Sequence, residues 1–232
     1  MSVETEPEIE EQRKKLHANS FHLLTIHFQQ GTLDRLLKGV KKLERMADEA
    51  IDNVQESHKV ACSVGCWFCC AQRVRASVPE ILLVAQHIRE KWTPEEIEQL
   101  LGRIETYKAR LADPSSQGVS ASLRFICPLL KNQMCSVWED RPLVCRGYGA
   151  KDAEPCEQRL LHPEKDIVVD TAKQQRALAD GVRLGIHDAM LLARRGPDSC
   201  DLILGLDIAL NAPNAGERFL RGESVFAGAI VR

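Results

Sequence analysis

Cysteine is the residue type in this sequence whose number and spacing could support chemistry. Eight of the nine cysteines of the 232-residue chain fall into two segments, and the first, residues 62–70, reads CSVGCWFCC. Its C-x2-C step lets two thiolates reach one ion from a tight turn, in which backbone amides donate hydrogen bonds to the sulfurs. Gly65 helps the chain to turn beside Cys66. The sequence therefore predicts a metal centre with the ligands Cys62, Cys66, Cys69, Cys70, Cys127, Cys135, Cys145 and Cys156.

The number of metal sites and the identity of the metal stay open at this stage. A zinc ion or a four-iron cluster takes about four thiolates, so eight could serve two sites, and six could serve one site with spares. Cys69 and Cys70 are adjacent and cannot easily point at one ion, so we expect one to ligate while the other faces a second site or is packed. All-thiolate ligation suits both zinc and iron–sulfur clusters. The vicinal pair and the count of eight favour iron–sulfur.

Two arginines lie beside the cysteines of the second segment. Arg141 and Arg146 could neutralise the negative charge of a metal–thiolate centre, and a nearby cation lowers the pKa of a thiol. We therefore predict that both support the cofactor from outside the ligand set; the alternative is that they are ordinary surface cations. Trp67 and Phe68, inside the first segment, are expected to shield the site from water.

The remaining candidate ligands are less suited to the centre. Three histidines recur every five residues near the N-terminus, which turns successive rings by about 140° on a helix, so they form no ligand row. They are His17, His22 and His27. His58 and His162 flank the cysteine segments but are expected to stay outside the ligand set. Cys200, far from both segments in sequence, is expected to be a free thiol.

The cysteine segments together resemble those of a cysteine-cluster family of zinc- or iron-chelating domains, which includes the flagellin lysine N-methylases. The resemblance rests on CSVGCWFCC at 62–70, CPLL at 127–130, CSVW at 135–138 and RPLVCR at 141–146. One departure is Trp138, where the family usually carries a tyrosine, so the hydroxyl is lost. The resemblance covers residues 55–160 and implies a metal centre. In the methylase branch it also implies a link to S-adenosylmethionine.

Other sequence signatures of enzymes are absent or incomplete. The sequence has no Gly-rich dinucleotide loop, no P-loop and no H-E-x-x-H motif. Cys62, Cys66 and Cys69 do have the C-x3-C-x2-C spacing of radical S-adenosylmethionine enzymes. However, the extra Cys70, the second cysteine segment and the lack of a following β/α pattern argue against such a barrel.

The elements that must position these cysteines are helices. Apolar spacing predicts helices over 32–58, 78–91, 94–111, 171–195 and 201–211, with Thr32 as an N-cap. Capping boxes at Ser77 and Thr93 begin two of them. Residues 61–71 and 113–122 are predicted to be loops, and Pro213 and Gly216 to interrupt the C-terminal tail. We expect a mainly α fold around an irregular cysteine-rich metal-binding centre. Its segments are 1–58, 59–160 and 161–232, expected to form one domain.

Composition and charge exclude some classes of function. The chain is 44% hydrophobic and 28% charged with a net charge of −2, and it contains no apolar run of membrane-helix length. We therefore expect a cytoplasmic protein that does not enter membranes, and nucleic-acid binding is not favoured. We predict a metal-binding accessory or electron-carrier module. The alternative is an S-adenosylmethionine-linked methyltransferase acting on a protein, and the sequence leaves open whether the chain is an enzyme and which protein partner it has.

Overall fold

The fold is mainly helical, as the sequence predicts. A computed structural model describes residues 5–63, 65–113, 125–196 and 199–230. The helices of these residues are α1 (Glu6–Gln30), α2 (Leu33–Asp52), α3 (Val78–Lys91), α4 (Pro94–Ala112), α5 (Leu143–Arg146), α6 (Glu154–Leu161), α7 (Lys173–Ala193), α8 (Leu202–Asn211) and α9 (Ala215–Leu220). Short 3-10 turns lie at Ser57–Lys59, Phe68–Ala71, Trp138–Asp140 and Ala227–Ala229. The loop predicted over 113–122 lies, from residue 114 onward, outside the described residues.

The strands of the described residues are only two residues long, and each pair holds two stretches of the chain together by backbone hydrogen bonds. β1 (Arg75–Ala76) pairs antiparallel with β4 (Cys200–Asp201), and β2 (Leu130–Lys131) pairs with β3 (Met134–Cys135). The first pair joins the chain after the first cysteine segment to the start of α8. The second pair is a hairpin inside the second cysteine segment.

The helix starts follow the predicted caps. The Thr32 hydroxyl accepts the Arg35 amide at 3.4 Å, and capping boxes begin α3 at Ser77 and α4 at Thr93. The end of α2 differs from the prediction, because the helix stops at Asp52 rather than at residue 58. The amide group of Asn53 donates to the Glu49 carbonyl at 2.8 Å and so satisfies a carbonyl of the last turn.

Two further elements differ from the sequence prediction. Helix α6 forms within the region that the sequence assigns to irregular structure. Gly216 lies inside α9 rather than interrupting the tail, because its backbone packs against Leu33, whose Cδ2 would be 2.5 Å from an added Cβ. A close contact, and not a turn, therefore explains this glycine.

The core draws side chains from most of the helices described above, but not from α6. Fully buried residues come from α2, α3, α7, α8 and α9 and include Leu36, Leu43, Ile81, Val182, Leu206 and Phe219. No described helix combines the length and the apolar character that crossing a bilayer requires.

Helices α1 and α7 pack along their length in the same direction. Gly181 lies against the backbone of Arg13, and Gly185, one turn later, lies against the backbone of His17. The absence of a side chain at both glycines allows the two helix backbones to approach closely. This contact fixes α7, whose opposite face lines the candidate site described below.

Substitution of Gly185 by alanine is expected to destabilise the fold by about 1–3 kcal/mol, because overpacking in a close contact displaces the backbone. An added Cβ would overlap the His17 carbonyl oxygen and lie 2.6 Å from the Ser20 Cβ. Gly102→Ala is the matched control, since Gly102 is an exposed residue of α4 and nothing lies within 4 Å of an added Cβ. The control should gain about 0.5–1 kcal/mol from helix propensity. Urea unfolding measures both, and equal stability of the two variants would refute the close contact.

Candidate metal centre

The first cysteine segment is an irregular turn tied to the rest of the chain by backbone hydrogen bonds. Gly65 adopts φ +91°, the left-handed conformation that favours glycine, and the Cys66 amide donates to the Ser63 carbonyl at 3.0 Å. The Cys127 amide donates to the Cys70 carbonyl at 2.7 Å. This last bond brings the two cysteine segments together.

The second segment begins with the hairpin of β2 and β3. Asn132 and Gln133 form its turn with φ values of 51° and 60°, and two positive φ values are the signature of a type I′ hairpin turn. The hairpin places Cys135 opposite Leu130, whose amide donates to the Cys127 carbonyl at 2.9 Å. The turn therefore brings Cys135 back toward Cys127.

Cys145 lies on the short helix α5, which is held by buried charges. The Glu80 carboxylate, which closes the capping box of α3, also accepts the Leu143 amide at 2.8 Å and so caps α5. Arg146 is 3% exposed and pairs with Glu44 at 2.9 Å and with Asp48, both on α2. Its guanidinium also donates to the carbonyls of residues 139 and 141. Arg146 thus anchors the Cys145 segment to α2.

The fourth cysteine of the second segment lies on α6. The Tyr148 hydroxyl contacts the Cys156 thiol, and burial raises the pKa of Tyr148. The Ala150 amide donates to the Cys62 sulfur at 3.4 Å. Cys156 interacts electrostatically with Cys62, Cys66 and Cys69.

The eight thiols form two groups that share Cys69. On one side, Cys62 and Cys156 interact with Cys69 and also with Cys66. On the other side, Cys127, Cys135 and Cys145 interact with Cys69. Cys70 touches Cys69, and this contact, followed by burial, raises the pKa of Cys69. The vicinal pair therefore lies at the junction of the two groups.

Burial raises the pKa of five of these thiols. It raises the pKa of Cys127 to about 12 and that of Cys145 well above its usual value. Burial also raises the pKa of Cys62, Cys135 and Cys156. Burial disfavours the ionised thiolate form of a cysteine unless a nearby cation compensates its negative charge. Every cysteine of the chain is free of disulfides.

The distances between candidate ligand atoms separate the cysteines from one histidine-containing set. Among the described residues, the one set of three ligand atoms that all lie within 4.8 Å of one another is His87, Glu139 and Asp140. No three cysteine sulfurs of the described chain are that close. In the histidine set, the Lys41 ammonium already pairs with Asp140 at 2.8 Å, and His87 holds its other oxygen at 2.7 Å. This set is an ion-pair cluster whose lysine would repel a metal.

The two predicted arginines occupy different surroundings. Arg141 interacts electrostatically with Cys135 and Cys145, and it stacks on the Trp138 ring with its guanidinium carbon 3.7 Å from the centroid. Burial lowers the pKa of Arg141. Arg146 instead directs its guanidinium at the carboxylates of α2, so its main contact is structural.

A cavity of about 730 Å³ opens beside the cysteines. This volume is within the range of small-molecule sites, which is roughly 300–1,000 Å³. Six of the cysteines line it, namely Cys66, Cys69, Cys70, Cys127, Cys135 and Cys145. The opposite wall is one face of α7, with Arg176, Asp180, Arg183 and His187.

The α7 wall of the cavity was not predicted from the sequence. The signal was present, because residues 176, 180, 183 and 187 repeat at the three- and four-residue spacing that places side chains on one helix face. It was overlooked because charged residues at this spacing usually mark a solvent-exposed face. In the structure these side chains line the cavity instead.

The remaining predicted residues lie elsewhere. The His58 ring bonds to the Asp52 carbonyl at 2.7 Å, and His162 lies 3.5 Å from a Glu164 oxygen. Cys200 is buried in the core, and burial raises its pKa to about 12. Trp67 and Phe68 pack on each other with centroids 5.7 Å apart in the first cysteine segment.

Comparisons with models of known protein families, with curated proteins and with solved structures found no match. The resemblance to the cysteine-cluster family therefore stays a prediction, and the geometry of the chain's own residues carries the functional argument.

Proposed function

We propose that the protein binds metal through its eight clustered cysteines and that each of two groups of four thiols holds an iron–sulfur cluster. The observation that carries this proposal is the meeting of two cysteine groups at the vicinal pair Cys69 and Cys70. Each group has three cysteines of its own and can take one member of the pair, which gives four thiols to each. Four thiolates are the complement of one zinc ion or one iron–sulfur cluster.

The environment of the thiols supports a metal rather than a set of core cysteines. Six of them line a cavity, and Arg141 lies where it can offset negative charge at Cys135 and Cys145. The raised pKa values of Cys127, Cys135 and Cys145 mean that binding a metal there releases protons from buried thiols, and the cation compensates for the burial of the thiolates. Isolated buried cysteines, such as Cys200, lie in apolar cores instead.

The spread of the sulfurs favours an iron–sulfur cluster over a single zinc ion. Sulfurs that share a tetrahedral zinc ion at 2.3 Å lie about 3.8 Å apart. No three cysteine sulfurs of the described residues lie within 4.8 Å of one another. In a cluster, different thiolates bind different irons, so a wider spread is required. When bound, such a cluster would supply electron-transfer capacity, and the protein would be an accessory or electron-carrier module.

The cavity supports a second candidate function, in which the protein is an enzyme. A module that only stores or transfers electrons needs no space beside its ligands, whereas this chain has about 730 Å³ there. In that case the family resemblance suggests methyl transfer from S-adenosylmethionine to a protein substrate. The cysteines would hold the metal while the cavity held the small substrate.

Equilibrium dialysis with labelled S-adenosylmethionine separates the two candidates. The enzyme requires saturable binding of one molecule per metal-loaded chain, within the range from roughly 1 μM to 1 mM in which enzymes bind their substrates. An absence of binding throughout that range would reject the methyltransferase and leave the electron-carrier role. The metal-free chain serves as the reference for binding that does not depend on the cysteine centre.

A further inference from the structure

The cavity beside the cysteines carries an excess of positive charge. Among its described lining residues, six guanidiniums face a single carboxylate, Asp180. The six are Arg73, Arg75, Arg141, Arg159, Arg176 and Arg183. The chain as a whole has a net charge of −2, so this concentration of arginine is local to the cavity.

The arginines near the cysteines already have partners. Arg73 donates to buried Asp201 at 3.1 Å, an aspartate that also accepts the Tyr107 hydroxyl at 2.8 Å. Arg141 stacks on Trp138 and donates to its carbonyl oxygen at 3.0 Å. These two arginines are committed to the fold and to the cysteine side of the cavity.

The arginines of α7 are held more weakly than Arg73 and Arg141, and they are partly exposed. Arg176 and Arg183 share Asp180, with Nε to carboxylate distances of 3.9 and 2.9 Å. Their side chains are 66% and 40% exposed. One carboxylate therefore serves two guanidiniums, which lie one turn to either side of it on the cavity face of α7. A bound anion could accept hydrogen bonds from both guanidiniums.

The opposite lip of the cavity is apolar. Met134, Trp138 and Val144 line the cavity and are among the exposed large hydrophobic residues of the protein. Trp138 is 60% exposed although it is stacked on Arg141. Exposed large apolar side chains grouped at the mouth of a cavity are a common feature of ligand sites.

We propose that this cavity binds a small organic anion, whose charged group pairs with Arg176 and Arg183 and whose apolar or aromatic part packs on the lip of Met134, Trp138 and Val144. The enclosed volume suits a small molecule better than a protein surface. The proposal goes beyond the metal site, because it concerns the ligand of the cavity and holds whichever metal the cysteines bind.

The test uses the fluorescent probe 8-anilinonaphthalene-1-sulfonate, which joins one sulfonate to an aromatic body. The double variant Arg176→Gln/Arg183→Gln is expected to weaken probe binding by about tenfold or more, since charge-assisted hydrogen bonds are lost. Arg45→Gln/Arg194→Gln removes the same charge from exposed positions outside the cavity lining and should bind like the wild type. Equal weakening in both double variants, or none in either, would overturn the proposal.

A second variant tests the apolar contact separately from the charged contact. Trp138→Ala should weaken the probe but leave displacement by inorganic pyrophosphate unchanged, because pyrophosphate has no apolar part. If Trp138→Ala leaves probe binding unchanged, the apolar lip is not part of the site and the proposal fails.

Metal content is measured on every variant before titration. A loss of probe binding with metal content unchanged supports the arginine site directly. A protein that contains neither iron nor zinc after anaerobic purification, yet binds the probe through Arg176 and Arg183, would refute the metal proposal and leave this one standing. Failure of the two proposals is therefore distinguishable.

Discussion

Replacement of Arg146 by methionine is expected to lower the free energy of unfolding by about 3–5 kcal/mol, the usual cost of breaking a buried ion pair from one side. Arg146 is buried and bonds to Glu44, which is 1% exposed. Burial raises the pKa of Glu44, and Arg146 opposes that rise. Without the guanidinium, a buried carboxyl group and two carbonyls lose their donor.

Chemical denaturation of the matched pair Arg146→Met and Arg45→Met measures this effect. Arg45 is an exposed residue of α2, the helix that carries Glu44, so its replacement should change stability by no more than about 0.5 kcal/mol. Adding Glu44→Leu to Arg146→Met should recover part of the loss, because it removes the orphaned carboxyl group. A loss of less than about 1 kcal/mol in Arg146→Met would show that the buried pair does not hold the cysteine segment.

Replacement of Cys69 by serine is expected to remove about half or more of the bound metal, because each cluster requires its full set of thiolates. Cys69 interacts with both cysteine groups and touches Cys70, so it lies at the point where the groups meet. Serine keeps the size of the side chain and removes the sulfur. Iron, sulfide and zinc per chain measure the loss.

Cys200→Ser is the control for the cysteine series. Its thiol is buried in the core, 3.8 Å from the Phe226 carbonyl oxygen, and Cys200 does not line the cavity beside the other cysteines. Its metal content should match that of the wild type. If Cys69→Ser retains all of its metal, or Cys200→Ser loses as much, the assignment of the junction is wrong.

The helices could be predicted because their signals are local. The capping box at Ser77 and the N-cap at Thr32 place hydroxyl groups within three residues of the amides that they accept. The end of α2 was placed too late, because the apolar spacing continues past the point where Asn53 caps the last turn. Helix α6 was missed because it is short and contributes no fully buried side chain.

The candidate site was only partly predictable, because its contacts join residues far apart in the chain. Spacing alone singled out the cysteine segments. It could not show that Arg146 faces Glu44, 102 positions away, rather than the thiols. Nor could it place Arg176 and Arg183 opposite the cysteines. Those positions depend on the packing of α7 against α1 through Gly181 and Gly185, a tertiary contact that leaves no local signature.

The measurement that tests the central claim most directly is metal and sulfide analysis of the protein purified without oxygen, together with its visible absorption spectrum. We predict iron and acid-labile sulfide in comparable amounts and a broad absorption band near about 400 nm, as thiolate-ligated clusters show. Stoichiometric zinc without colour would contradict the iron–sulfur assignment while retaining a metal site. A folded protein with neither metal would contradict the account as a whole.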